Sequence, residues 1–279
     1  MSDRPLLVID GDSFAHRAYH GLPKTIRRKG DKGGGAIVGF ANYMLRLYAD
    51  AQPRAVVVGW DTLEVPNWRA LELEGYQGGR EFDDEIVDQL SILPEFVEAC
   101  GFIVGKGARF EADDFLATAV RLEEARGGTA LVATGDRDAF QLASERTTIL
   151  QPVKAGEIAR IGPAEVRERY GVEPAQVPDF IALRGDPSDK IPGARGVGAT
   201  TAASLLKRYP DLEAMLGDGK FELQAEDLRL YKRIATMVAD APLGEVPDTP
   251  PTWGRAAALA RDWELKALSE RLEQLARAT

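Results

Sequence analysis

Leu6-Leu7-Val8-Ile9-Asp10, Ala55-Val56-Val57-Val58-Gly59-Trp60-Asp61 and Ala130-Leu131-Val132-Ala133-Thr134-Gly135-Asp136 share one plan: a short apolar run that closes on an aspartate. A run of this length and composition, bounded by turn formers, reads as a strand buried on both faces, the signature of a parallel sheet. Ligand sites of open α/β sheets lie at the carboxyl ends of such strands. Three carboxylates brought to one sheet edge repel each other unless a positive group sits between them, and oxygen ligands suit a divalent cation. The runs therefore point to a metal site.

Further acids arrive at short spacing, in Glu111-Ala112-Asp113-Asp114, Asp136-Arg137-Asp138 and Asp186-Pro187-Ser188-Asp189. Phe115, Leu116, Ala119, Val120 and Leu122 predict a helix beginning near Ala112, which puts Glu111 and Asp114 on one face with Asp113 beside them. Any one of these acids alone reads better as a turn or helix cap than as a ligand. Nine in this order read as a site.

Outward from the strands, helix and strand alternate to about residue 151, with Ala36 to Asp50 before the second run and Glu85 to Cys100 before Phe102-Ile103-Val104. That alternation predicts a mainly parallel sheet with helices on both faces. Beyond Pro163 the pattern is largely helical. Pro242 to Pro251 reads as a linker to a last amphipathic helix, whose Leu265, Leu268, Leu272 and Leu275 are too few for a coiled coil and predict docking on the body. Pro192-Gly193 with Gly196 and Gly198 forms a tight hairpin before an Ala- and Leu-rich helix, whose first N–H groups can hold a phosphate. A glycine-rich turn that merely caps a helix has the same pattern.

The stretches Val8 to Asp12, Arg17 to His20, Trp60-Asp61, Tyr76 to Arg80, Glu111 to Asp114, Thr134 to Asp138, Gln141-Leu142 and Leu183 to Gly198 resemble, in order, the 5′-nuclease family of bacterial DNA polymerase I N-terminal domains and flap endonucleases. The resemblance implies a PIN-like (resolvase-like) catalytic domain over residues 1–172, with an arch or clamp near 62–85. It also implies a helical DNA-binding domain over 173–279, with a helix-hairpin-helix (helix-three-turn-helix) near 183–206. Two metal clusters are implied, one of Asp10, Asp61, Glu111 and Asp113 and one of Asp136, Asp138, Asp186 and Asp189, with Asp113 or Asp114 between them. The implied cofactors are two divalent cations, Mg²⁺ or Mn²⁺, serving phosphodiester hydrolysis, and often K⁺ at the hairpin carbonyls.

The same resemblance implies an arch whose aromatic and basic residues steer a single-stranded 5′ end, here Trp68, Arg69, Tyr76 and Arg80. Where polymerase-I-like members usually carry lysine after the tyrosine, this chain has Gln77, so Arg69 or Arg80 is expected to supply positive charge near the scissile phosphate. Arg17 matches a family arginine that faces substrate, and a surface salt bridge explains it equally well. For the DNA backbone the candidates are Arg27, Arg28 and Lys29 in the loop Lys24 to Lys32, then Gly193, Arg195, Gly196, Gly198 and Lys207. The loop also reads as a solvated surface segment, and with no Gly-Lys-Ser/Thr triplet it is not a nucleotide-hydrolase phosphate loop.

A formal charge of −9 disfavours DNA binding at first sight. Removing the nine metal-site acids leaves the rest of the chain neutral, so local basic patches decide affinity. His16 and His20 stand at zinc-pair spacing, but no glutamate lies between them to act as base and the chain has one cysteine, so zinc is not expected. Cys100 allows no intrachain disulfide, no apolar run approaches a membrane span, and no signal peptide fits before the first strand, which makes bacterial cytoplasm the default.

The expected function is a stand-alone, monomeric 5′-3′ exonuclease and flap endonuclease acting on DNA with a 5′ flap, 5′ end, nick or gap, alongside a polymerase and ligase. A PIN-like ribonuclease and a non-catalytic DNA-structure-binding protein are the alternatives.

Overall fold

The computed structural model describes residues 4–62, 65–78, 82–153 and 156–278. Its sheet carries strands in the order β5 (Ile103–Gly105), β4 (Ala55–Gly59), β1 (Leu6–Asp10), β6 (Ala130–Ala133), β7 (Thr147–Pro152) and β8 (Ile158–Ile161). All neighbours run parallel except β7 and β8, which pair antiparallel. β8 thus adds a strand beyond residue 151, where alternation was expected to end.

Strand periodicity sorts the core. Leu6 and Val8 of β1, with Ala55 and Val57 of β4, face one layer, while Leu7 and Ile9, with Val56 and Val58, face the other. Successive strand side chains point to opposite faces, so these unbroken apolar runs serve two cores at once. Each fully buried Leu or Val contributes about 1.5–3 kcal/mol of transfer free energy.

The Leu7 face is covered by α1 (Gly11–Gly21), α2 (Gly35–Ala51) and α4 (Asp84–Ala99). The Leu6 face carries α5 (Ala112–Ala125), α6 (Pro163–Tyr170) and the helical module. That module comprises α7 (Val177–Arg184), α8 (Ala199–Leu206), α9 (Leu212–Gly217) and α10 (Ala225–Ala235).

Helices α11 (Trp253–Asp262) and α12 (Lys266–Ala278) return to the first layer. Trp253, Ala256, Ala257, Ala260, Leu265, Leu268 and Leu272 share the core of Leu7 and Phe96. The helical unit expected over 173–279 therefore loses its last two helices to the sheet layer. The strap before them is held by Arg54, buried with Glu123. Its Nη1 donates to the Val246 carbonyl at 2.8 Å and to Asp248 at 3.0 Å, and Nε donates to Glu123 at 3.1 Å. Among the described residues no helix is long and apolar enough to cross a membrane.

The segment Lys24–Lys32 is not free. It forms the hairpin of β2 (Arg27–Arg28) and β3 (Lys32–Gly33), docked on α4. Arg27 pairs with Glu85 at 2.6 Å, while Arg28 and Lys32 both pair with Asp88. Two of the three cations expected to steer phosphate are thus engaged by α4 carboxylates, and Lys29 stands exposed at the turn.

Candidate active site and nucleic-acid interface

At the carboxyl end of β1, Asp10 caps α1 by accepting the Ser13 N–H at 3.0 Å and takes the Thr134 hydroxyl at 2.7 Å on its other oxygen. Thr134 follows β6, so this bond laces neighbouring strand ends together. The Asp136 N–H donates to the Thr134 Oγ1 at 3.0 Å, and Asp136 in turn accepts from the Asp138 N–H at 2.9 Å.

Beyond β4, Asp61 accepts the Ala112 N–H at 2.8 Å, and α5 starts with Glu111 as its N-cap. The turn after α7 presents Asp186, whose N–H and carbonyl both pair with Ile191 at 2.8 Å. Gly185 and Gly193, both at positive φ, let those chain segments approach more closely than any side chain allows.

Asp10, Asp12, Asp61, Glu111, Asp113, Asp136, Asp138 and Asp186 line one cleft of about 700 Å³ with Arg17, Arg137 and Arg184. Burial, against some relief from hydrogen bonds, raises the Asp10 carboxyl to about 7. Burial, partly offset by Arg69, raises Glu111 to about 7 as well. Burial and neighbouring carboxylates hold Asp12, Asp113 and Asp138 well above the usual range.

An all-oxygen set that resists ionising on its own fits a hard divalent cation, whose charge reverses that cost. Among the described residues, no three His, Cys, Asp or Glu side chains already converge at ligand spacing. Asp12, Asp61 and Asp186 direct oxygens to backbone N–H groups.

Asp114, Asp189, Arg69 and Tyr76, all expected at the site, do not line that cleft. Asp114 is fully buried and does not line the cleft; it accepts two bonds from Arg69 and the N–H groups of Glu111 and Val238. Arg69, expected beside the scissile phosphate, is buried within α3 (Trp68–Glu72), with its Nη1 2.6 Å from Glu111. A guanidinium so enclosed offers no N–H to a phosphate.

Asp189 meets Gln77, whose amide donates to it at 3.1 Å and to the Tyr76 hydroxyl at 3.1 Å. Tyr76 is buried, with its hydroxyl 3.3 Å from Glu111. Arg80 lies outside the described residues. Arg17 is exposed at the cleft edge, and the His16 ring lies 5.0 Å from the Phe82 ring, tilted by 38°.

Asp12 was missed as a site residue. Its carboxylate accepts the Asp61 N–H at 2.7 Å, and its place two residues after a strand-end aspartate was the available signal. At the hairpin, Gly193, Arg195, Gly196 and Gly198 line a second cleft with Gln224, Asp227 and Tyr231. Gly198 is the N-cap of α8, and Lys207 is exposed at its other end.

Residues 5–171 match the family described as 5′-3′ exonuclease, N-terminal resolvase-like domain, and residues 172–252 match its C-terminal SAM fold. The chain belongs to the 5′-3′ exonuclease family. DNA polymerase I of Mycobacterium bovis is 36% identical over 96% of this chain and 31% of its own length. DNA polymerase I of Deinococcus radiodurans is 36% identical over 88% and 27%. The chain thus spans about a third of the length of these curated relatives.

Among solved structures, T5 5′-exonuclease with zinc ions bound has a TM-score of 0.70 at 16% identity, covering 97% of this chain and 99% of that one. Bacteriophage T5 flap endonuclease in a pseudo-enzyme-product complex with DNA and metal ions has a TM-score of 0.70 at 17% identity, covering 98% and 100%. At such identity these two likenesses speak to the fold. The two family matches correspond to the mainly parallel sheet and to the helical module beside it.

Proposed function

We propose that the chain is a divalent-metal-dependent 5′-3′ exonuclease and flap endonuclease that hydrolyses DNA phosphodiester bonds in flap or primer removal. The observation that carries this reading is the convergence of acids from β1, β4, α5, the β6 end and the Asp186 turn on one cleft, next to a hairpin that offers backbone N–H groups.

Asp10, Asp61, Glu111 and Asp113 would hold one Mg²⁺ or Mn²⁺, and Asp136, Asp138, Asp186 and Asp189 the other. What such ions supply is activation of the attacking water and stabilisation of charge on the leaving oxygen. The remaining work falls to the chain. Arg17 and Arg137 line the same cleft and can draw a phosphate toward it, while Arg184 is paired with Asp186 at 2.9 Å. Gln77 holds the Asp189 carboxylate by a hydrogen bond from its uncharged amide.

The amides around Gly196 and Gly198, with Arg195 and Lys207, suit a duplex backbone, and K⁺ at the hairpin carbonyls belongs to the same reading. Residues 1–172 with an arch near 62–85 would form the catalytic part, and the module from 173 the duplex grip. A bacterial cytoplasmic setting, a monomeric state and work beside a polymerase and ligase complete the proposal.

The test is cleavage of a labelled 5′-flap duplex with Mg²⁺ or Mn²⁺, beside a chelator control, Asp136→Ala and a matched single-stranded RNA. Asp136 is exposed, so its loss spares the fold. Metal-dependent cutting near the junction, lost in the variant, supports the reading. Cleavage of RNA alone, or binding without cleavage, overturns it.

A further inference from the structure

Arg69 donates every N–H it has. Nε donates to the Ile234 carbonyl at 2.9 Å, Nη1 to Glu111 at 2.6 Å and Asp114 at 2.9 Å, and Nη2 to Asp114 at 2.7 Å and the Thr236 carbonyl at 3.1 Å. The guanidinium also lies 4.6 Å from the Trp68 ring centroid. It therefore ties the N-cap carboxylate of α5 to the last turn of α10, with nothing left over for solvent or substrate.

The peptide after α10 is fastened to the same place by other means. Val238 N–H donates to Asp114, Ala241 N–H to the Thr118 hydroxyl, and Gln141 brackets Ala235 and Met237. The opposite end of α10 touches the hairpin, where Gln224 accepts the Arg195 N–H at 3.2 Å, and Asp227 and Tyr231 line the hairpin cleft. An eleven-residue helix spans about 16 Å, so one helix runs from the glycine hairpin to the carbonyls that hold Arg69 beside Glu111.

We propose that Arg69 is a positioning residue that makes the orientation of Glu111 depend on how the helical module is seated on a duplex. The inference rests on the nuclease reading for its substrate. Duplex held at the hairpin fixes α10, α10 fixes Arg69 through two carbonyls, and Arg69 fixes Glu111. Coupling of this kind is reciprocal, so duplex tightens divalent-cation binding by the factor with which the cation tightens duplex binding. Lysine cannot replace this fork, since one ammonium cannot reach two carboxylates and two carbonyls in a plane.

The experiment titrates Mn²⁺ into the wild-type chain and Arg69→Lys, each alone and with a closed dumbbell duplex that has no end to cut. The expected wild-type result is Mn²⁺ binding about fivefold or more tighter with the dumbbell, in the range of measured couplings. Arg69→Lys is expected to bind Mn²⁺ more weakly and to lose that enhancement. On a flap substrate its kcat should fall at least about tenfold with KM unchanged, the pattern of an interaction felt at the reacting centre rather than in binding. A folded Arg69→Lys with wild-type Mn²⁺ affinity and undiminished enhancement overturns the proposal, whatever its melting temperature.

Should Arg69→Lys not fold, Arg233→Ala decides. Arg233 is exposed and pairs with Glu72 of α3 at 2.5 Å, so its loss loosens α3 from α10 without opening the core. Reduced enhancement supports the proposal, and full enhancement overturns it. A wild-type chain that cuts no flap would sink the nuclease reading, while the Mn²⁺ and dumbbell titrations still decide the role of Arg69.

Discussion

Replacing Gly59 with alanine tests whether the seating of α5 on the sheet sets the spacing of the acids. Gly59 ends β4, and an added Cβ would lie 2.6 Å from the Ala112 carbonyl oxygen and 2.7 Å from Leu116 Cδ1. Ala112 belongs to the first turn of α5 between Glu111 and Asp113, and its backbone cannot rotate aside. Reaching an ordinary 3.4 Å contact requires a retreat of about 0.8 Å. If Asp61 stays in place, its 2.8 Å bond to the Ala112 N–H stretches to about 3.6 Å and is lost. Overpacking of this size costs about 1–3 kcal/mol, and each kcal/mol lowers the melting temperature by roughly 2–4 °C in a chain of this length. A misplacement near 1 Å at a reacting site costs about a hundredfold in rate, so activity should fall much further than stability. Thermal melting, Mn²⁺ titration and single-turnover flap cleavage measure the three quantities. Gly217→Ala, where an added Cβ meets nothing within 4 Å, serves as the control. A Gly59→Ala protein with wild-type Mn²⁺ affinity and cleavage rate would refute the reasoning.

Three further outcomes are expected. Burial raises Asp10 and Glu111 from 3.8 and 4.5 to about 7 in the folded chain, so their stabilisation is present at low pH and lost as pH rises through about 7. The chelated protein should therefore melt higher at about pH 5.5 than at about pH 8, with the slope reduced by Mg²⁺, and the opposite slope in chelator would contradict this origin. Arg54→Met leaves the buried Glu123 unpaired and should cost about 3–5 kcal/mol in urea unfolding; a loss under about 1 kcal/mol would show that the pair does not hold the 246–248 strap. Asp12→Asn keeps an acceptor for the Asp61 N–H but removes a charge, so Mn²⁺ affinity should drop severalfold with the melting temperature unchanged or raised, and unchanged affinity would place Asp12 outside the metal set.

The sequence alone determined the parallel strands β1, β4, β5 and β6, the helix beginning at Ala112 and the glycine turn before α8, because strand periodicity, capping residues and glycine conformation are written within a few neighbouring positions. It also carried most of the acids to one edge, since a residue at the carboxyl end of a buried strand has nowhere else to go. Only the tertiary structure decided which acids look into the cleft. Asp12 does, although it was not among the expected ligands, while Asp114, which was, turns inward to Arg69. The fates of the basic residues were equally unreadable: Arg69 meets carbonyls 165 and 167 positions away, and Arg28 meets Asp88 across 60. A long, flexible cation takes its partner from whatever folding brings near, and no local period records that choice.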